Sequence, residues 1–323
     1  MLAVSTSELW KTYGRIDALK GVSLDVERGQ VFGLLGQNGA GKSTLIKILL
    51  GIVRKTDGEA FLLGELAGNV GIRARVGYLP EDHQFPGYHT ARSLLDMYGM
   101  MYNLNRADRL RRIDESLEIV GLRKRMDYKI RTYSKGMKQR LGIAQAIFHD
   151  PDVIFLDEPT DGVDPVGRRE IRELLEQLRG EGRTVFLNSH LLGEVEVVCD
   201  RVAILQAGEI VRQGTVADLT RQANRYVIGL APDHLFPAEE VARLGYPITV
   251  VDGFTELDIP TGKSIDPILE LLTAKGLKLR HLVEKKQSLE DVFVRTVDNA
   301  EPGTDRRSPR LARPVRAARR DEA

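Results

Sequence analysis

Gly36-Gln37-Asn38-Gly39-Ala40-Gly41-Lys42-Ser43-Thr44 is the stretch from which the rest of the chain can be read. Before it stands Val31-Phe32-Gly33-Leu34-Leu35, an apolar run that reads as a buried strand. After it comes Leu45-Ile46-Lys47-Ile48-Leu49-Leu50, which reads as a helix stopped by Gly51. A strand, a glycine-rich turn and Gly-Lys-Ser at a helix start form the context of a P-loop. Glycines let successive backbone N–H groups point at phosphates, and the helix N-terminus adds partial positive charge. In such a loop Lys42 reaches the β- and γ-phosphates and the Ser43 hydroxyl ligates Mg²⁺.

At 323 residues the chain has room for one large domain and a smaller one. Hydrophobic content of 42% and charged content of 29% are those of a globular protein. A net charge of +1 gives no reason to expect a specific nucleic acid partner or an anionic surface. The single cysteine, Cys199, excludes an internal disulfide and reads as a small buried filler in a reducing compartment. Met1-Leu2-Ala3-Val4-Ser5 has no basic segment followed by an apolar core, so no signal peptide is expected. No apolar run is long enough to cross a bilayer, because Lys47 interrupts the best candidate.

Residues 8–26 read as strands with tight turns at Tyr13-Gly14 and Leu19-Lys20-Gly21. Asp57-Gly58 and Gly64 bracket a short strand, and Val76-Gly77-Tyr78-Leu79 forms another. Between about residues 90 and 131 the apolar period becomes helical. Its Met–Tyr stripe, Met97, Tyr98, Met101 and Tyr102, reads as helical core or as an adaptable partner groove. Val153-Ile154-Phe155-Leu156 and Thr184-Val185-Phe186-Leu187 are two more buried strands, with a helix over residues 168–178 between them. Strand, helix, strand implies a right-handed crossover and a parallel sheet. A hairpin around Ala207-Gly208 follows, and the large domain, residues 1–225, ends there. Residues 226–298 read as a small α+β domain, with strands at 226–230, 248–251 and 255–259, a helix at 265–275 and an extended run at 277–283. The tail, residues 299–323, carries Arg306, Arg307, Arg310, Arg313, Arg316, Arg319 and Arg320 without aromatics and reads as disordered. There is no internal repeat and no second P-loop.

Val153-Ile154-Phe155-Leu156 runs into Asp157-Glu158-Pro159-Thr160. Acidic residues at the carboxyl end of a parallel strand lie where open α/β sheets bind ligands. Asp157 is suited to hold Mg²⁺ through water and Glu158 to orient and deprotonate an attacking water. Upstream, Ser134 reads as the N-cap of a helix, with Gly136 leaving the backbone open to a phosphate.

Taken together, over roughly residues 4–225, these segments resemble the ATP-binding subunit of an ABC transporter. Residues 36–44 are similar to its Walker A motif, Ser134-Lys135-Gly136-Met137 to its signature, and residues 154–158 to Walker B with the catalytic glutamate. Asp161-Gly162-Val163-Asp164 resembles the D-loop, His190 the switch histidine, and Tyr13 the aromatic that stacks on adenine. The implied fold is a P-loop NTPase of the ABC ATPase type. It has a mostly parallel α/β core, an antiparallel β subdomain, a helical subdomain at about residues 90–150, and a small C-terminal α+β domain. The implied activity is hydrolysis of ATP with Mg²⁺, Glu158 and His190 being the catalytic pair. Gly36, Asn38, Gly39, Ala40, Gly41, Lys42, Ser43 and Thr44 hold the phosphates; Ser43, Asp157 and Glu81 face the metal. Ser134, Gly136 and Asp164 face the nucleotide of a second ATPase subunit in a head-to-tail homodimer.

The resemblance further implies a polytopic membrane permease as partner and a peripheral position on the cytoplasmic face of the membrane, with residues 81–105 as the contact surface. Two departures stand out. Lys135 and Met137 occupy signature places usually held by glycine and glutamine, and Glu81 stands where the Q-loop glutamine falls. Tyr-Ser-Lys-Gly-Met with Leu-Pro-Glu resembles the drug-resistance and polysaccharide or lipid export class, as does the ending Leu289-Glu290-Asp291-Val292-Phe293. The alternative is a soluble ABC ATPase acting on ribosomes or DNA. The usual marks of those relatives, a second cassette or long coiled coils, are not in this sequence.

Overall fold

The protein's structure, a computed structural model, describes residues 1–298 except Pro232, Asp252, Gly253 and Thr261. The Arg-rich tail therefore lies outside the described residues.

Three sheets organise the described residues. The first is antiparallel, in the order β2-β1-β4-β5, built from β1 (Leu2–Tyr13), β2 (Ile16–Glu27), β4 (Asp57–Leu62) and β5 (Glu65–Leu66). Leu19-Lys20-Gly21, expected as a turn, stays inside β2. The pairing with β1 steps from Leu9↔Val22 to Lys11↔Leu19, so Lys20 and Gly21 form a bulge.

The second sheet has the order β10-β9-β3-β8-β7-β6. Its strands are β3 (Val31–Leu35), β6 (Val76–Leu79), β7 (Val153–Asp157), β8 (Thr184–Asn188), β9 (Arg201–Gln206) and β10 (Glu209–Thr215). All pairings are parallel except β9 with β10, the expected hairpin. Every residue of β3, β7 and β8 is buried, which explains their unbroken apolar runs: both faces are covered.

The period of two distributes their side chains between two cores. Val31, Leu35, Ile154, Leu156, Val185 and Leu187 face one. That face is covered by α2 (Ala91–Met101), α3 (Arg106–Ile119), α4 (Lys135–Ile147), α5 (Pro165–Gly180) and α6 (Leu192–Val198). Phe32, Leu34, Phe155 and Phe186 face the other, against α1 (Lys42–Leu49) and the antiparallel sheet. Helix α5 links the adjacent parallel strands β7 and β8, as a crossover requires. Gly33 has no side chain because α6 and β9 crowd it. A Cβ there would stand 2.8 Å from Val195 Cγ1 and 2.9 Å from Val202 Cγ1.

Helices α2, α3 and α4 pack on one another and form the expected helical part. The Met–Tyr stripe divides. Met97, Tyr98 and Tyr102 pack against the core, whereas Met100 and Met101 are exposed.

Beyond α7 (Val216–Thr220), the third sheet has the order β12-β13-β11-β14. It joins β11 (Arg221–Leu230), β12 (Ile248–Val251), β13 (Phe254–Asp258) and β14 (Leu279–Lys286) in antiparallel pairs. Helices α8 (Ala238–Arg243) and α9 (Asp266–Ala274) complete a separate small core around Ile228, Val241, Leu257, Ile268 and Leu272. The division expected at residue 225 falls inside β11. The last helix, α10 (Leu289–Asp298), departs further from expectation. Its Leu289 and Val292 are buried in the core of the large unit, not in that of the small one.

The rings of Phe32 and Phe155 lie 5.3 and 5.1 Å from that of Phe186, which is fully buried at the middle of β8. Phe186→Ala should therefore lower unfolding stability by about 3–5 kcal/mol, read from the denaturant midpoint. A loss below about 1 kcal/mol would mean that the cluster does not support the sheet.

Candidate functional site: a phosphate cleft at the carboxyl edge of the parallel sheet

Strands β3, β7 and β8 run in parallel and adjacent, so their carboxyl ends open at one edge of the sheet. The loop after β3 turns tightly into α1. At Gly36 a Cβ would meet Leu205 O at 2.3 Å, and at Gly41, whose φ is 111°, it would meet Ala18 O at 2.5 Å. No other residue fits either position. Lys42 opens α1 and is buried; its ammonium donates to Gly36 O at 2.6 Å and Gln37 O at 3.2 Å. Burial lowers the Lys42 pKa, and the carboxylates of Glu158, Asp157 and Glu81 oppose that shift.

Asp157 and Glu158, both buried, leave the end of β7. Asp157 lies directly opposite Asn188 of β8 and accepts a hydrogen bond from its Nδ2. Burial raises the Asp157 pKa, against the effect of the Asn188 bond and of Lys42. Glu158 has φ of 51°, a left-handed conformation that is costly for a residue with a side chain. Three hydrogen bonds hold it there: its N–H donates to Asn188 O at 2.9 Å, and its carbonyl accepts from Gln139 Nε2 at 3.0 Å and from Asp161 N at 3.2 Å. The result aims the carboxylate at His190, whose Nδ1 lies 2.8 Å from Glu158 Oε2 and whose N–H donates to it at 3.3 Å. Burial raises the Glu158 pKa as well, opposed by His190.

A cleft of about 330 Å³ opens at Lys42, Glu158 and Asn188; Asp157 and His190 lie behind these residues and do not line it. Asn38, Gly39, Gly41, Lys42, Ser43 and Thr44 line one side, and Glu81, Glu158 and Asn188 the other. Ala18, on β2, reaches the same cleft.

Other expected residues lie elsewhere. Tyr13 ends β1 with its ring exposed beneath Lys11 Nζ, 4.5 Å from the ring centre, and does not line the cleft. Ser134 caps α4 by accepting from Met137 N at 3.2 Å, and Asp164 caps α5 by accepting from Gly167 N at 2.7 Å. Lys135 pairs with Asp161 at 2.8 Å, so the start of α4 and residues 161–164 form one surface, and neither lines the cleft.

Asn188 and Gln139 were not expected in the site. Asn188 was detectable by the rule that singled out Asp157, since it too is a polar residue at the end of a buried parallel strand. Gln139 carried no signal, because its role depends on how α4 packs against β7.

A family model for the ABC transporter matches residues 19–161. An uncharacterized ABC transporter ATP-binding protein of Synechocystis sp. is 38% identical over 90% of this chain and 84% of its own length. The bacitracin transport ATP-binding protein BcrA of Enterococcus faecalis is 32% identical over 91% of this chain and 96% of its own. Among solved structures, a dimeric ATP-binding cassette in a post-hydrolysis state, bound to ADP and Pi, superposes with a TM-score of 0.60. Its identity is 26%, and the match covers 66% of this chain and 98% of that one. The chain belongs to the ATP-binding subunits of ABC transporters and is an ATPase. These relatives carry transporter names and lend no support to the alternative of a ribosome- or DNA-directed ATPase. Among the described residues no helix is long and apolar enough to cross a membrane.

The raised Asp157 pKa has a thermodynamic consequence. Between the ordinary aspartate value and the raised one, the folded state binds more protons than the unfolded state, so stability falls as pH rises through that window. Asp157→Asn keeps an acceptor for Asn188 and removes the penalty. Its melting temperature should exceed the parent's at neutral pH, the gap narrowing as pH is lowered toward the ordinary aspartate range. Equal melting temperatures at neutral pH would contradict this.

Proposed function

We propose that residues 36–44 hold the phosphates of MgATP, that Glu158 is the general base, and that a second copy of the chain closes the site. The observation that carries this is the cleft itself. It unites Lys42, Ser43, Glu81 and Glu158, while Ser134, Gly136 and Asp164 lie on another surface of the same protomer. A head-to-tail homodimer would bring the start of α4 and Asp164 of one copy to the nucleotide of the other. The post-hydrolysis neighbour, itself dimeric, supports the arrangement.

The donor set suits Mg²⁺. Asp157, Glu158 and Glu81 face the single ammonium of Lys42, a surplus of negative charge that a divalent cation offsets. Asn188 Oδ1 is buried without a hydrogen-bond partner, a hard oxygen close to Asp157. Ser43, Asp157 and Glu81 would hold the ion, directly or through water, and bound Mg²⁺ would neutralise charge on the β- and γ-phosphates. Lys42 neutralises the same oxygens from the loop side. Glu158, its carboxylate made more basic by burial, accepts the proton of the attacking water, and His190 holds that carboxylate in place. Tyr13 is assigned to the adenine: its exposed ring ends β1, and Ala18 of the paired β2 reaches the cleft.

Glu158→Gln should lower turnover by about 10²–10⁴-fold and accumulate an ATP-bound dimer on size-exclusion chromatography. Adding Ser134→Arg should dissolve that dimer while leaving ATP binding by the monomer intact. Unchanged turnover in Glu158→Gln would overturn the base assignment, and a dimer that survives Ser134→Arg would overturn the two-copy site.

We further propose that the chain drives a membrane permease as an exporter, working at the cytoplasmic face of the membrane. The bacitracin transport relative supports the transport role. Residues 81–105 are the proposed contact surface, since Tyr88, Met100 and Met101 stand exposed there beside packed neighbours. Tyr88→Asp with Met101→Asp should abolish co-purification with the permease from membranes while sparing ATP binding. Undiminished co-purification would move the contact elsewhere.

A further inference from the structure

The segment carrying His190 passes directly into α6, and α6 is held from three directions. Beneath it, Val195 and Cys199 press on Gly33 of β3, the strand that feeds the phosphate loop. Beside it, Glu194 pairs with Arg172 of α5 at 2.9 Å. The third hold comes from the far end of the chain. Leu289 and Val292 of α10 are buried in the same core as Val195 and Val198, α10 packs on α6 and on α7, and Glu196 Oε2 accepts the Leu289 N–H at 2.7 Å. Ser288 and Asp291 cap the helix, with Asp291 N donating to Ser288 Oγ at 3.1 Å and Ser288 N to Asp291 Oδ2 at 3.0 Å. That box does not serve the Leu289 N–H, a free donor of the first turn, so Glu196 completes the start of α10 from α6 and ties the two elements together. Gln287, just before α10, anchors its start to α7: its N–H donates to Thr220 O at 3.0 Å and its side-chain nitrogen to Leu219 O at 2.9 Å.

We propose that α10 is a clamp on α6, and that Glu196 and Leu289 are positioning residues that set where His190 meets Glu158. The proposal rests on the assignment of Glu158 as base. The physical link is short: α6 begins two residues after His190, and the His190 Nδ1 to Glu158 contact spans 2.8 Å. Shifting α6 by a fraction of that distance alters the Glu158 carboxylate, which α6 reaches across two residues, more than the phosphate loop, which it reaches only through β3 and which Lys42 also holds by its bonds to Gly36 O and Gln37 O. The small C-terminal unit is thereby coupled to the catalytic carboxylate. Whatever displaces its sheet, β14 above all, pulls on α10 and changes turnover without touching nucleotide.

The test is steady-state ATP hydrolysis by the full-length chain carrying Glu196→Ala, Glu196→Gln or Leu289→Asp. Glu196→Ala should reduce kcat by about tenfold with KM for ATP changed less than about twofold, and Glu196→Gln, which keeps an acceptor, should restore kcat. Leu289→Asp should reproduce the kcat loss by expelling α10, with ATP affinity retained. If Glu196→Ala keeps parental kcat, or if KM rises as far as kcat falls, the clamp is wrong. Glu158→Gln, run alongside, separates the two ideas. Full activity there sinks the base assignment, whereas an inactive Glu158→Gln beside a fully active Glu196→Ala sinks only the clamp.

Discussion

A single backbone hydrogen bond, Glu158 N–H to Asn188 O at 2.9 Å, joins the end of one parallel strand to the end of its neighbour. Around it the site is assembled. Asn188 also donates its side chain to Asp157, so one residue fixes both acids of β7. Gln139, from α4, fixes the Glu158 carbonyl from the other side. With both its backbone groups bonded, Glu158 stays in a left-handed conformation that its own preferences oppose. The sheet and the helical part thus determine jointly where the carboxylate points.

The sheet can bear this because its three central strands are buried on both faces. The period of two sends the phenylalanines Phe32, Phe155 and Phe186, with Leu34, to one core and aliphatic side chains alone to the other. Charge gathers at the edge instead. Lys42, Asp157 and Glu158 are all buried, and each is held away from its ordinary pKa by desolvation. A nucleotide's phosphates beside Lys42, and a divalent cation beside the acids as proposed, would offset that cost with opposite charge. The site carries strain in its electrostatics as well as in the Glu158 backbone.

Much of this was legible in the sequence. Apolar runs located β3, β7 and β8, and the glycine-rich loop between β3 and α1 could be read from its flanks. Lys42, Ser43, Glu81 and Glu158 do line one cleft, with Asp157 beside it on Asn188. Local pattern could not say that α10 belongs to the large core. Its apolar positions read equally well as the end of the small domain, and only Leu289 and Val292 packing on α6 tells the difference. Gln139 was invisible for a related reason: a polar residue inside a helix has meaning only through the element it touches.

Residue order alone was enough for the parallel sheet, the phosphate loop and the acids at its edge. Those features depend on period, on glycine at a sharp turn and on charge after an apolar strand, all of which act within a few residues. Three-dimensional packing was needed for the rest. It paired Asn188 with Asp157, turned Glu158 toward His190, and separated Ser134 and Asp164 from the cleft of their own protomer. Each of these joins segments distant in sequence. Their contact is paid for by the burial of whole helices and strands, and no local propensity encodes it.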